Sequence, residues 1–126
     1  MMRVVIVEDD MQFRIALGLT LRRLGVQVVA EMPDGQAALE WLRSQHPDLI
    51  LTDCQMPRLD GIALVRRLRA RGDHTPVIMI SGQTEEQVID IALKAGVNQY
   101  LAKPLSTPML EAAIERTLPG WTGWAA

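Results

Sequence analysis

Short apolar runs alternate along the chain with longer stretches of helical spacing. The runs at residues 4–7, 26–30, 49–52, 77–80 and, more weakly, 99–102 predict five strands. The first, third and fourth are apolar at nearly every position rather than at alternate ones, the pattern of parallel strands covered on both faces by helices. Between them, Phe13, Ala16, Leu17, Leu21 and Leu24 form one helical stripe, Ala38, Leu39 and Leu42 a second, and Ile62, Val65 and Leu68 a third. Val88, Ile91, Ala92 and Ala95 form a fourth, followed by Leu110, Ala113, Ile114 and Leu118. Gly25, Gly72 and Gly96 stand as helix stops, while Asp34, Thr84 and Ser106 occupy N-cap places. Strict alternation of strand and helix predicts an α/β fold, a doubly wound (βα)5 parallel sheet with right-handed crossovers. Residues 1–118 read as one domain. Residues 119–126, PGWTGWAA, break the pattern and read as a C-terminal tail or a truncated linker.

Composition narrows the function classes. The 126 residues suffice for one buried core, and the 48% hydrophobic content is distributed in runs far too short to cross a bilayer, so no membrane role is expected. Thirteen basic against fifteen acidic residues give a net charge of -2, which provides no footprint for direct nucleic-acid binding. The single cysteine, Cys54, cannot form an internal disulfide, and MMRVVIVEDD lacks a secretory signal pattern, so a cytoplasmic location is expected.

In an open parallel sheet the ligand crevice lies beyond the carboxyl ends of the strands. Here those ends are strongly polar: Glu8, Asp9 and Asp10 follow the first strand, Asp53 the third, Ser81 the fourth, and Lys103 and Pro104 the fifth. Carboxylates converging on one edge repel each other unless a cation sits among them. Oxygen-only ligands suit Mg2+, with Asp9 and Asp53 bound directly and Glu8 through water. Taken singly, Asp10 reads equally as a helix cap, Ser81 as a turn residue and Lys103 as a loop lysine. Their coincidence on one edge is what points to a site. The chain has no GxGxxG after a strand, no GxxxxGK[ST] and no GxSxG, and His46 and His74 have no partner at metal spacing. An aspartyl nucleophile is left, because a carboxylate can accept a phosphoryl group as an acyl phosphate. Phosphatases of that kind usually carry a second aspartate two positions later, where this chain has Gln55.

The motifs VEDD at 7–10, TDCQMPRLDG at 52–61, ISG at 80–82 and YLAKPL at 100–105 resemble the receiver domain of two-component response regulators, the family typified by the bacterial chemotaxis response regulator. The resemblance covers about residues 2–118. It implies the flavodoxin-like strand order 2-1-3-4-5, with Asp53 as phosphoacceptor, Asp9 as direct metal ligand and Glu8 as the second acidic residue. The backbone carbonyl of Gln55 would complete the Mg2+ shell. Ser81 corresponds to the hydroxyl switch, Tyr100 to the aromatic switch and Lys103 to the pocket lysine, preceding a cis bond to Pro104. Met56, Pro57 and Gly61 match the loop after the phosphoacceptor. This chain departs from the usual pattern at Glu8 for Asp, Ser81 for Thr and Gly82 for Ala. Asn98 and Gln99 stand where many transcriptional regulators carry two aspartates, which weakens the case for their charge-paired dimer.

The implied function is a switch, not a turnover enzyme. It takes a phosphoryl group from a phosphohistidine on a sensor histidine kinase or histidine phosphotransfer protein and changes the surface of its fourth helix, fifth strand and fifth helix. A downstream effector protein or an appended output domain would read that surface. A pseudo-receiver and an aspartyl phosphatase are the alternatives; the intact Glu8, Asp9, Asp53, Ser81 and Lys103 disfavour the first, and Gln55 the second. On a helical wheel of residues 11–24, Met11, Ile15 and Gly18 fall opposite the core stripe, bounded by Arg14 and Arg22. With Pro104 and Leu105 they form an expected partner-docking patch.

Overall fold

The computed structural model describes residues 1–121. Its elements alternate without exception: β1 (Arg3–Val7), α1 (Met11–Arg23), β2 (Gln27–Met32), α2 (Gly35–Trp41), β3 (Leu49–Thr52), α3 (Gly61–Ala70), β4 (Val77–Ser81), α4 (Glu86–Ala95), β5 (Gln99–Ala102) and α5 (Thr107–Thr117). The sheet is parallel throughout, in the order β2-β1-β3-β4-β5. The flavodoxin-like order expected from the motifs is the one observed.

The continuous apolar runs have a direct cause. Along β1, Val5 and Val7 enter the core beneath α2, α3 and α4, whereas Val4 and Ile6 enter the core beneath α1 and α5. Ile50, Val77 and Met79 join the first core, and Leu49, Leu51, Ile78 and Ile80 the second. All of these side chains are buried, so neither face tolerates a polar alternation. The edge strands β2 and β5 are only partly buried, which is why their patterns read weakly. Among the described residues, no helix is long and apolar enough to cross a membrane.

Several local expectations shift. β2 begins and ends later than its apolar run: it starts where Gln27 pairs with Arg3, and a register slip between Val4 and Val5 carries the later pairing on to Val7 and Met32. Glu85, not Thr84, precedes α4, and it makes no side-chain capping bond. In α1, Ala16 is exposed while Gly18 is buried, the reverse of the wheel. A side chain at Gly18 would start 3.8 Å from Ile6 Cδ1 and 3.0 Å from Arg22 Nη1, so α1 lies close to β1 on that side. Leu19, at 49% exposure, joins Met11 and Ile15 on the solvent face in its place. Ile91, assigned to the stripe of α4, is also exposed, because that helix buries only a narrow strip around Ala92. Beyond α5, Trp121 packs against the α1/α5 core, and its backbone N–H donates to the Leu118 carbonyl at 3.2 Å. Trp124 lies outside the described residues.

Candidate functional site

The carboxyl ends of β1, β3, β4 and β5 bring the polar residues together. Glu8 directly follows β1 and is buried, with its N–H held by the Met32 carbonyl of β2 at 2.9 Å. Asp53 directly follows β3, with its N–H held by the Val7 carbonyl at 3.0 Å. Backbone bonding thus fixes both residues before their side chains interact. One carboxylate oxygen from each of Glu8, Asp9 and Asp53 lies within 4.8 Å of the others, a spacing compatible with a shared metal ion. Asp9 is exposed and shares an open depression with Gln55, Met56, Pro57 and Asp60. Asp10 stands beside this group but accepts the N–H groups of Gln12 and Phe13 at 3.0 and 3.2 Å, so its task is to cap α1.

Lys103 supplies the opposing charge. Its Nζ donates to Glu8 Oε1 at 2.9 Å and to Asp53 Oδ2 at 3.3 Å, and lies 4.1 Å from the centroid of the Phe13 ring. Its own N–H donates to the Ser81 carbonyl at 2.8 Å, and the Lys103–Pro104 bond is cis. Burial opposes the charge on Lys103, but the two carboxylates overcome this and hold its pKa above the ordinary value. Glu8 responds in the opposite way. Burial pushes its pKa up to about 7, despite hydrogen bonds from the Asp10 N–H and Lys103, and the neighbouring Asp53 charge adds to the rise.

The raised pKa of Glu8 has a consequence for stability. A carboxyl that is harder to ionise when folded contributes stability fully below its ordinary pKa of 4.5, and this contribution is lost as the pH rises through about 7. The metal-free domain is therefore expected to lose stability across that window. Thermal unfolding in chelator should show the decline in the wild type and a flatter profile for Glu8→Gln. Equal pH profiles would refute the assignment.

Ser81 and Tyr100, the two residues expected to act as switches, sit at the end of β4 and on β5. Ser81 is buried, and its Oγ accepts the Gln83 N–H at 3.1 Å. Tyr100 is half-buried and donates its hydroxyl to the Gln83 carbonyl at 2.7 Å. Burial raises the Tyr100 pKa, so the phenol stays a donor at neutral pH. Both side chains therefore bond the backbone of the same residue of the β4–α4 loop.

Near this pocket, Met11 and Ile15 are 61% and 52% exposed. Pro104 is exposed, and Leu105 lines a small groove between α1 and the start of α5 with Phe13, Ala16 and Thr20. Gly18 does not belong to this surface, for the reason given above. His46 and His74 are exposed beside Arg43 and Arg71, close before the amino ends of β3 and β4 and away from the carboxylates.

Phe13, Arg14 and Asp34 lie outside the motifs, and Arg58 lies inside one without a role assigned to it there. Phe13 lies under Lys103, but in sequence it is one more member of the α1 stripe. Arg14 Nη1 donates to the Glu8 carbonyl at 2.6 Å, and Asp34 pairs with Arg58 at 2.9 Å. These contacts join residues whose sequence spacing signals nothing.

The model of the response regulator receiver domain matches residues 4–115, nearly all of this fold and every site residue named above. The chain belongs to the response regulator receiver family. It is 41% identical over 115 residues to the transcriptional regulatory protein CseB of Streptomyces coelicolor, covering 91% of this chain and 48% of CseB. It is 38% identical over 117 residues to the chemotaxis protein CheY of Pseudomonas aeruginosa, covering 91% of this chain and 94% of CheY. The receiver domain thus spans about half the length of several curated relatives and nearly all of CheY. Among solved structures, the receiver domain of the NarL response regulator from Mycobacterium tuberculosis superposes with a TM-score of 0.86 at 32% identity, covering 92% of this chain and 95% of that one. The receiver domain of a sensor histidine kinase from Pseudomonas aeruginosa, which has a magnesium ion coordinated in its active site cleft, gives 0.84 at 31% identity, covering 92% and 96%. The chain is accordingly a signalling domain of two-component systems, and its cluster of Glu8, Asp9 and Asp53 fits the family's metal and phosphoacceptor site.

Proposed function

We propose that this receiver domain accepts a phosphoryl group on Asp53 from a phosphohistidine, carried by a sensor histidine kinase or a histidine phosphotransfer protein. The observation that carries the reading is the convergence of the Glu8, Asp9 and Asp53 carboxylates within 4.8 Å, with the Lys103 ammonium against two of them. Asp9, Asp53 and the Gln55 backbone carbonyl would hold Mg2+, with Glu8 binding through water. When bound, the ion supplies positive charge that offsets the repulsion between the Asp53 carboxylate and the incoming anionic group. An Asp53 oxygen forms the new bond to phosphorus while the phosphorus–nitrogen bond breaks and its electron pair returns to the donor imidazole. Lys103 neutralises phosphoryl oxygens, and the Ser81 hydroxyl donates to one of them. Water later hydrolyses the acyl phosphate, so the domain catalyses both its own modification and its reversal.

The link from Ser81 and Tyr100 through Gln83 supports a readout surface formed by α4, β5 and α5. An appended output domain or a separate effector would bind there. Residues 1–118 form the receiver unit on this reading, with the following residues as tail or linker, and the protein works in the cytoplasm. Labelled phosphate should pass from the cognate phosphohistidine protein to the wild type and not to Asp53→Asn. Transfer to that variant at an undiminished rate would refute the reading.

The exposure of Met11 and Ile15 on α1, the helix that starts two residues after Asp9, supports a docking role for them, together with Pro104 and Leu105, which directly follow Lys103. A phosphohistidine must approach Asp53 in line, and an apolar surface beside the pocket would orient it. Ile15→Asp is expected to slow transfer from the protein donor about tenfold while labelling by acetyl phosphate stays unchanged, because each 1.4 kcal/mol of lost docking is tenfold. Both rates falling together would reassign Ile15 to the fold. If neither falls, donors dock elsewhere.

A further inference from the structure

The β3–α3 loop has a second anchorage that the phosphoacceptor chemistry does not use. Asp34, just before α2, is 4% exposed. One of its oxygens accepts the Ala37 N–H at 2.8 Å and caps α2, while the other accepts Arg58 Nε at 2.9 Å. The Ala37 bond, acting against the cost of burial, and the Arg58 charge hold the Asp34 pKa below the usual carboxylate range. Arg58 reaches in from the middle of the loop with its side chain otherwise largely in solvent. Its backbone lies at φ 63, a left-handed conformation that disfavours any residue with a Cβ.

One residue further along each segment, the Gly35 N–H donates to the Leu59 carbonyl at 3.1 Å. A Cβ at Gly35 would sit 2.2 Å from that same oxygen, so the two backbones approach this closely only because residue 35 is glycine. A strained arginine persists where its surroundings over-determine it. Here the surroundings are a buried anion and a backbone contact, and both act on the loop that carries Gln55 and lines the depression beside Asp9.

We propose that Asp34 and Arg58 are positioning residues for the metal site: their ion pair, with the Gly35–Leu59 contact, ties the β3–α3 loop to the first turn of α2 and holds the Gln55 segment beside Asp9 before a cation arrives. The inference rests on the metal reading above. A loop ordered in advance spends less binding free energy on ordering when the ion binds. Coupling is reciprocal, so occupation of the site tightens the start of α2.

The test measures Mg2+ affinity by calorimetry and, independently, hydrogen exchange at the Gly35 amide with and without Mg2+. Arg58→Gly removes the charge while relieving the left-handed strain, and Asp34→Asn keeps an oxygen for the Ala37 cap. Each single variant is expected to weaken Mg2+ binding about three- to fivefold, the range of a partly exposed ion pair. The double variant should be no weaker than either single one, because both remove the same link. Arg58→Lys should recover affinity to within about twofold by restoring the charge. Mg2+ should slow exchange at Gly35 in the wild type and lose that effect in the double variant. Unchanged affinity in Arg58→Gly, or single losses that multiply in the double variant, would overturn the proposal. Asp9→Ala separates the two levels: if it loses Mg2+ while Arg58→Gly does not, only the positioning role fails. If the wild type binds no Mg2+, or Asp9→Ala binds it as well as the wild type, both fail.

Discussion

Gly61→Ala is expected to destabilise the receiver domain by about 3 kcal/mol, the upper end of the usual cost of overpacking. A Cβ at residue 61 would stand 2.0 Å from the Asp53 carbonyl oxygen and 3.1 Å from its carbonyl carbon. Neither neighbour can yield cheaply, because Asp53 is also tied to Val7 through its N–H, and the Gly61 N–H closes the loop onto the Cys54 carbonyl at 2.8 Å. Of the three nearest atoms, the one that can yield is the end of the Met79 side chain at 3.0 Å. Relief therefore requires α3 to move away from the end of β3, which displaces the backbone that aims Asp53. Urea denaturation should show the loss of stability, and the remaining folded protein should label poorly. A change below about 0.5 kcal/mol, the range of ordinary surface substitutions, would show that the close approach is not needed.

The second large effect is expected from Lys103→Ala. Nζ is the one group among the described residues that forms salt bridges to both Glu8 and Asp53. Removing it leaves two neighbouring carboxylates without their shared cation, and takes away the charge that would face the phosphoryl oxygens. Loss of one preorganised electrostatic contact to a transferring group lowers rates by about a hundredfold or more. Labelling of Lys103→Ala by acetyl phosphate should fall by about that factor, while circular dichroism shows an intact fold. A labelling rate within twofold of the wild type would make Lys103 a bystander.

The sequence is most informative where burial is most complete. β3 and β4 announce themselves because every residue in them is inside, so no polar position interrupts the run. The site is legible for a related reason: parallel strands all end on one edge, so polar residues placed just after apolar runs must converge. Legibility fails where a contact depends on tilt or on distant partners. Gly18 and Ala16 exchange places because a helical wheel gives the angle around α1 but not how closely that helix lies on β1. Asp34 and Arg58 each read as a cap and a loop residue, and only the fold brings them within 2.9 Å. Phe13 likewise looks like ordinary core until Lys103, far along the chain, is placed over its ring. The Gln83 backbone, which bonds both Ser81 and Tyr100, carries no side-chain signal at all.

If Asp53, held among Glu8, Asp9 and Lys103, is the group that accepts the phosphoryl group with Mg2+ present, peptide mass spectrometry after treatment with acetyl phosphate and Mg2+ will locate the label there. The peptide containing Asp53 is expected to gain about 80 Da, one phosphoryl group, and the gain should be absent in chelator and in Asp53→Asn. Equal labelling in chelator, or stoichiometric labelling of Asp53→Asn with no other carboxylate substituting, would contradict that role for Asp53.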